Sequence, residues 1–103
     1  MATIVRGTTP EIEIIFKETD PHVLAKAVLT FSKGTDDVLS RDLSTANISG
    51  KSVSWELTQE ETLALNNGDS LSVTCVWVTN SGVRGQSKTA VFYIGDTPIN
   101  EVL

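Results

Sequence analysis

Short stretches of alternating apolar and polar side chains recur at roughly ten-residue spacing along this chain of 103 residues. Alternation with a period of two is typical of a β-strand that buries one face, because successive strand side chains point to opposite sides. About six or seven short strands at this spacing form the pattern of an immunoglobulin-like domain. The sequence therefore predicts an all-β fold, an immunoglobulin-like β-sandwich of about seven strands, with a small barrel as the main alternative.

The apolar positions of each stretch predict which side chains line the core. Strands are predicted at 11–16, 24–32, 52–57, 70–79 and 88–94, with weaker ones at 38–41 and 83–86. Residues 42–47 are predicted to form a loop, and Gly85 indicates a bulge. The predicted inward-facing residues are Ile12, Ile14, Phe16, Ala25, Ala27, Leu29, Phe31, Val53, Trp55, Leu57, Leu71, Val73, Cys75, Trp77, Ala90, Phe92 and Ile94.

One segment carries a helix signal. In residues 58–61 (TQEE) the Thr58 hydroxyl is placed to cap exposed amides while Glu61 reaches back to the Thr58 amide, which is the pattern of a capping box. Acidic residues in the first turn also complement the helix dipole, and the turn-forming residues 66–68 end the helix. We predict one short helical corner near residues 59–65.

The length of the chain indicates how many domains it forms. A chain of this length is expected to bury about 65% of its extended surface, which is enough for one core. Residues 1–103 are therefore predicted to form a single β-sandwich domain with terminal arms at 1–9 and 96–103.

The formal net charge is −5 and the eight basic residues are scattered, so we predict no nucleic-acid partner. Neither a membrane span nor a signal peptide is predicted, since no apolar stretch has the required length or flanking charge.

Few residues are suited to catalysis or to binding a metal. The chain has one cysteine, Cys75, interpreted as a buried apolar residue of a strand, and one histidine, His22, predicted to lie in a loop. A zinc site needs about four ligands, and a catalytic triad needs a positioned histidine. Three pairs of carboxylates, at 11 and 13, 36 and 37, and 60 and 61, are interpreted as solvated, hairpin-tip and helix-capping residues, respectively. We therefore predict no enzymatic activity, no metal and no cofactor.

The two terminal arms carry apolar residues that lie outside the strand pattern. These candidate interaction residues are Ile4, Val5, Arg6, Ile99, Val102 and Leu103. In one interpretation the arms pack back on their own domain as edge strands or fray. In the other they pair with a neighbouring subunit by strand addition.

Four segments of the chain together resemble one family. They are residues 6–10 (RGTTP), 28–34 (VLTFSKG), 57–62 (LTQEET) and 100–103 (NEVL). The chain resembles a group of small proteins encoded by phages and prophages of Gram-positive gut bacteria, and the resemblance covers most of its length. That family is similar in outline to the immunoglobulin-like domains of phage tail and baseplate proteins, which assemble particles or present receptor-binding parts. The shared motifs are structural, and the family implies no catalytic residues.

The resemblance implies a virion structural or assembly protein, in the tail, the baseplate or the head, that acts through protein–protein contacts. Its partners would be other virion proteins or further copies of itself. It would be made in the cytoplasm of the host bacterium and end in the virion. Two alternatives stay open. One is a carbohydrate- or cell-surface-binding module that uses Trp55, Trp77 or Tyr93, and the other is an enzyme or an inhibitor of a host protein.

Overall fold

A computed structural model describes residues 2–17 and 19–97 of the chain. These residues form nine strands, one short α-helix and two 3₁₀ turns, at Pro21–Val23 and Leu43–Thr45. The α-helix, α1, spans Gln59–Leu63. The strands are β1 Ala2–Val5, β2 Glu11–Ile15, β3 Leu24–Lys33, β4 Asp36–Asp42, β5 Asn47–Ser49, β6 Ser52–Glu56, β7 Ser70–Thr79, β8 Arg84–Gln86 and β9 Ala90–Gly95.

The strands form two sheets. The large sheet has the order β1-β9-β7-β3-β4, and β8 also pairs with β7; the small sheet has the order β2-β6-β5. Neighbouring strands are antiparallel except for β1, which runs parallel to β9. This is the strand order of an immunoglobulin-like sandwich. The predicted all-β sandwich is confirmed, with nine strands in the described residues because the short strands β1 and β5 were not predicted.

The core lies between the two sheets and contains the predicted inward faces. Trp55 is completely buried, and its indole Nε1 donates a hydrogen bond to the Asp42 carbonyl at 2.9 Å. Burying an indole without such a partner would leave a polar group unsatisfied. The buried apolar residues are Ile4, Ile12, Phe16, Leu24, Ala27, Leu29, Phe31, Val53, Trp55, Leu57, Leu65, Leu71, Val73, Cys75 and Ile94.

Two predicted core positions are wrong. The register between β3 and β7 shifts between Leu24 and Lys26, so Leu24 is buried and Ala25 is exposed. A bulge of this kind reverses the side-chain alternation that a sequence pattern assumes. Ala90 is also exposed; it is the first residue of β9 and lies before Phe92, where the pairing with β1 begins.

The polar segment 42–47 is more ordered than predicted. The Asp42 carboxylate caps the 3₁₀ turn Leu43–Thr45 by accepting bonds from the hydroxyl and the backbone N–H of Ser44. These bonds, with the hydroxyl first, hold the pKa of Asp42 below its ordinary value. The chain then enters β5, which pairs with β6. The loop prediction is therefore wrong only at its two ends, since Asp42 is the last residue of β4 and Asn47 the first of β5.

The helical corner forms as predicted and ends earlier than residue 65. The Thr58 hydroxyl accepts from the Glu61 N–H at 3.1 Å, and Glu61 Oε1 accepts from the Thr58 N–H at 2.9 Å. Both halves of the capping box are therefore present. Glu61 Oε1 also accepts from Arg41 Nη1 of β4 at 2.8 Å, so the corner is tied to the edge of the large sheet.

Candidate interaction surfaces

The N-terminal arm is a strand of the chain's own large sheet. Ile4 of β1 is opposite Ile94 of β9 and is only 1% exposed, so it belongs to the core. Val5 is 40% exposed. The interpretation in which the N-terminal arm packs back on its own domain as an edge strand is therefore confirmed for β1, and Ile4 is not accessible to a partner. Parallel pairing with β9 uses one edge of β1. Because β1 is the terminal strand of its sheet, its other edge has no neighbouring strand among the described residues.

Arg6 joins the end of β1 to the helical corner. Its Nη1 donates to Asp96 Oδ1 at 2.9 Å and its Nη2 donates to the Leu63 carbonyl at the end of α1, also at 2.9 Å. The backbone N–H of Thr97, followed by the Arg6 guanidinium, holds the pKa of Asp96 below its ordinary value. Arg6 is therefore a structural residue that closes this end of the sandwich.

Two of the segments that carry the family resemblance, 6–10 and 57–62, pack against each other. Thr62 is fully buried; its hydroxyl accepts from the Gly7 N–H at 2.9 Å and donates to the Thr8 carbonyl at 2.8 Å. The Leu57 N–H donates to the Pro10 carbonyl at 2.9 Å. The two motifs are thus the halves of one corner, and their residues serve the fold. Ile99, Val102 and Leu103 lie outside the described residues.

The outer side of the large sheet forms a broad face without charge, here called the large-sheet face. Directly paired residues of neighbouring strands share a side, so the registers place Val28, Val76 and Thr74 on it together with the exposed Val91 and Tyr93. Lys26, Arg84, Asp37 and Asp42 stand only at its margins. The uncharged residues of the face are Thr3, Val5, Val28, Thr30, Ser32, Ser40, Ser70, Ser72, Thr74, Val76, Val78, Val91 and Tyr93.

A second surface lies where the two sheets separate at the edge of β2, here called the seam. β2 is the terminal strand of the small sheet, and among the described residues it pairs only with β6. An open cleft of about 580 Å³ runs between this edge and the segment that connects β8 to β9. The small-sheet wall consists of Ile14, Ile15, Phe16, Lys17 and Thr19, and the large-sheet wall of Trp77, Gln86, Ser87 and Lys88.

Trp77 forms the back of the seam. Its indole meets the Phe16 ring edge to face, with the ring centroids 4.7 Å apart, and is only partly buried. On its other side the indole lies directly against the backbone of Gly85 in β8. A Cβ at residue 85 would lie 2.5 Å from Trp77 Cε2, which is closer than such atoms approach. The prediction of a bulge at Gly85 is wrong, because β8 pairs with β7 in regular register there, and the glycine instead permits the close approach of an aromatic ring.

Ser87 lies at the interruption between β8 and β9, which pair one after the other along the same edge of β7. Its hydroxyl accepts from the Cys75 N–H at 2.9 Å, and its own N–H donates to the Cys75 carbonyl at 2.8 Å. The hydroxyl thus replaces a carbonyl of the strand ladder, and the chain bulges away from β7 before β9 begins. This bulge opens the large-sheet wall of the seam, and it lies at the break between the predicted strands 83–86 and 88–94.

Apolar and cationic groups share the walls of the seam. Ile15 is 63% exposed, the largest exposed fraction among the bulky hydrophobic residues described. Lys17 and Lys88 are both exposed, and within residues 2–17 and 19–97 neither forms an ion pair. The seam therefore presents an apolar strip flanked by two positive charges, which suits an extended segment that carries apolar and acidic side chains.

The two residues considered for chemistry, Cys75 and His22, occupy different environments. Cys75 is a free, fully buried thiol, and burial raises its pKa to about 11, so it is protonated at neutral pH. His22 is exposed in the 3₁₀ turn, where its Nδ1 lies 2.9 Å from Asp20 Oδ1. The backbone N–H of His22, followed by its imidazole, holds the pKa of Asp20 below its ordinary value. The interpretation of Cys75 as a core residue is confirmed.

The aromatic residues considered for sugar binding occupy three different environments. Trp55 is completely buried, Trp77 lines the seam, and Tyr93 is 41% exposed on the large-sheet face. Only the last two are accessible from outside. They lie on different surfaces, so they do not form one stacking platform.

Comparisons with known proteins were made for the whole chain. A scan against models of protein families and a search of curated proteins each found no match. Within residues 2–17 and 19–97, no helix has the length and apolar character needed to cross a bilayer. The same residues contain no group of three or more His, Cys, Asp or Glu side chains placed to hold a metal ion.

Proposed function

We propose that the chain is a structural or assembly subunit of a phage particle, in the tail, the baseplate or the head, that acts through protein–protein contacts. The observation that carries the proposal is the large-sheet face. One fifth of the chain's residues are charged, yet the centre of this face has none. Depletion of charge together with exposed aromatic and aliphatic side chains is the compositional mark of a protein interface.

The size of the face supports a repeated contact. Five strands about 4.8 Å apart span about 19 Å, and the ten residues of β7 are about 33 Å long, so the face covers at most roughly 630 Å². A stable pairwise interface uses about 800 Å² on each partner, so a single contact through this face would be weak. A symmetric particle repeats each contact many times, and avidity then supplies the missing stability. The family resemblance noted for the four sequence segments supports the same role.

Incorporation into particles tests the proposal directly. Mass spectrometry of purified virions from a strain that carries the gene is expected to detect the chain in fixed ratio to known structural proteins. A Ser72→Glu variant places a charge at the centre of the large-sheet face and is expected to be lost from particles. The matched control is Ser49→Glu on the small sheet, which is expected to be incorporated normally. Absence of the unaltered chain from mature particles and from assembly intermediates would reject the proposal.

Carbohydrate binding is the second candidate, favoured by one observation. Tyr93 is exposed on the large-sheet face beside serine and threonine hydroxyls such as those of Ser70 and Thr3. An aromatic ring that stacks on a sugar, with hydroxyls around it, is a common binding arrangement. A glycan array probed with the unaltered chain and with Tyr93→Ala tests this candidate, and signals that are equal for both proteins would reject it.

A further inference from the structure

We propose that the seam is an acceptor site for residues 98–103 of a second copy of this chain, which add to the edge of β2 as an extended segment. The proposal deepens the proposed function, on which it rests, because it names the partner and the contact. Its basis is the exposed edge of β2, the apolar walls of the cleft and the two lysines that flank it.

The edge of β2 offers the backbone half of such a site. β2 ends its sheet, so among the described residues one row of its N–H and C=O groups has no strand beside it. Exposed strand edges are templates for pairing, and proteins commonly protect them with charge or cover them. Glu11 and Glu13 protect one end of β2, whereas Ile15 at the other end is open and faces the seam. Strand addition is therefore favoured at the Ile15 end.

The side chains of residues 98–103 match the walls of the cleft. In an extended segment, Ile99, Glu101 and Leu103 lie on one side because strand side chains alternate. This order is apolar, acidic, apolar. The seam presents Ile15 and Trp77 as its accessible apolar walls, with Lys17 and Lys88 beside them, so Glu101 supplies the charge that both lysines lack among the described residues.

The donor must come from another copy because the distance within one copy is too large. Lys88 lines the seam, and the six strand residues of β9 carry the chain roughly 17–20 Å away from it before Thr97. Leu103 extends at most about 20 Å from Thr97, and Ile99 at most about 7 Å. Ile99 and Glu101 of the same copy therefore do not reach the seam. Donor and acceptor are different surfaces, so repetition of the contact gives a ring or a filament.

Charge reversal and charge exchange in the full chain test this contact. Sedimentation velocity from about 1 to about 300 µM, the range for a weak single contact, is expected to show self-association of the unaltered chain. Glu101→Lys alone, or Lys17→Glu with Lys88→Glu, is expected to lower the association constant at least about tenfold. The three changes combined in one chain are expected to restore it to within about threefold. Lys17 and Lys88 are exposed, so these variants are expected to fold, which circular dichroism checks.

Trp77 supplies an independent optical signal. Its indole lines the seam, whereas Trp55 is buried in the core and does not respond to the surface. Association through the seam is therefore expected to shift the tryptophan emission to shorter wavelength as concentration rises. The shift should be absent in Glu101→Lys.

Two results would overturn the inference. One is a monomer without an emission shift up to about 300 µM. The other is association that charge reversal leaves unchanged, particularly if Ser72→Glu removes it, since association would then run through the large-sheet face. The second result would leave the proposed function standing. Conversely, association through the seam combined with absence from particles would reject the proposed function alone.

Discussion

At the scale of single residues, Gly85 determines the shape of the seam because the Trp77 indole rests on its backbone. Gly85→Ala is expected to displace the indole from its contact with Phe16 and to lower the free energy of unfolding by about 1–3 kcal/mol, the usual cost of overpacking. Urea unfolding and tryptophan emission measure both effects. Gly95→Ala is the matched control, because a Cβ there meets Thr3 Cγ2 at an ordinary 3.5 Å. Equal stability of the two variants would contradict the close approach.

The buried thiol of Cys75 predicts a loss of stability in alkaline solution. Its pKa is raised from 9.0 to about 11, so between these values the folded chain holds a proton that the unfolded chain has released. The unfolded state then binds fewer protons, and the free energy of unfolding falls as pH rises through this window, by up to about 2–3 kcal/mol. The free energy of unfolding is measured at pH 8.5 and 11 for the unaltered chain and for Cys75→Ala. The difference between the two proteins isolates the contribution of the thiol, because both contain the same lysine and tyrosine residues. Parallel pH profiles would show that Cys75 does not titrate in this range.

At the scale of elements, the contact between α1 and the turn that follows β1 depends on the Thr62 hydroxyl, which bonds the Gly7 N–H and the Thr8 carbonyl. Thr62→Val keeps the shape and leaves the Gly7 N–H and the Thr8 carbonyl unsatisfied. We expect the free energy of unfolding to fall by about 2–3 kcal/mol, since each unsatisfied group costs about 1–3 kcal/mol before relaxation. Amide exchange measured by mass spectrometry should accelerate first in β1. Thr30→Val, on a strand of the large-sheet face, is the control and should change neither quantity by much; equal effects would place the role of Thr62 elsewhere.

At the scale of the whole molecule, the proposed contact between copies links stability to protein concentration. A partner that binds only the folded state stabilises it by mass action. The melting temperature is therefore expected to rise by a few degrees, roughly 1 kcal/mol of stabilisation, between about 1 and about 300 µM. Scanning calorimetry at both concentrations measures the rise, and Glu101→Lys should remove it. A melting temperature that is independent of concentration in the unaltered chain would argue against a contact of useful strength.

Much of the fold is predictable because its signals are local. The inward faces of β2, β6 and β7 follow directly from alternation, and the capping box at Thr58 and Glu61 forms as the four-residue pattern predicts. The predictions for Ala25 and Ala90 are wrong for nonlocal reasons. A bulge against β7 turned Ala25 outward, and Ala90 lies at the start of β9, before the pairing with β1 begins.

The candidate surfaces were less accessible to prediction from the sequence. Ile4 was expected in an arm, but parallel pairing with β9, which is distant along the chain, places it in the core. Nothing local indicates that the Ser87 hydroxyl replaces a strand carbonyl, or that Gly85 and Trp77 are in contact. The first contact joins strands from opposite ends of the chain, and the other two form only once β8 pairs along one edge of β7.

The sequence by itself determined the all-β class, the inward face of most strands and the helical corner, because a period of two and a capping pattern are properties of neighbouring residues. Only the tertiary structure decided that β1 completes the large sheet, that β2 is left as an edge and that the seam opens beside Trp77. Those features depend on which distant strands pair and on how far one sheet covers the other. The surfaces proposed to act in assembly belong to this second group, since an edge or a face exists only once the sheets are formed.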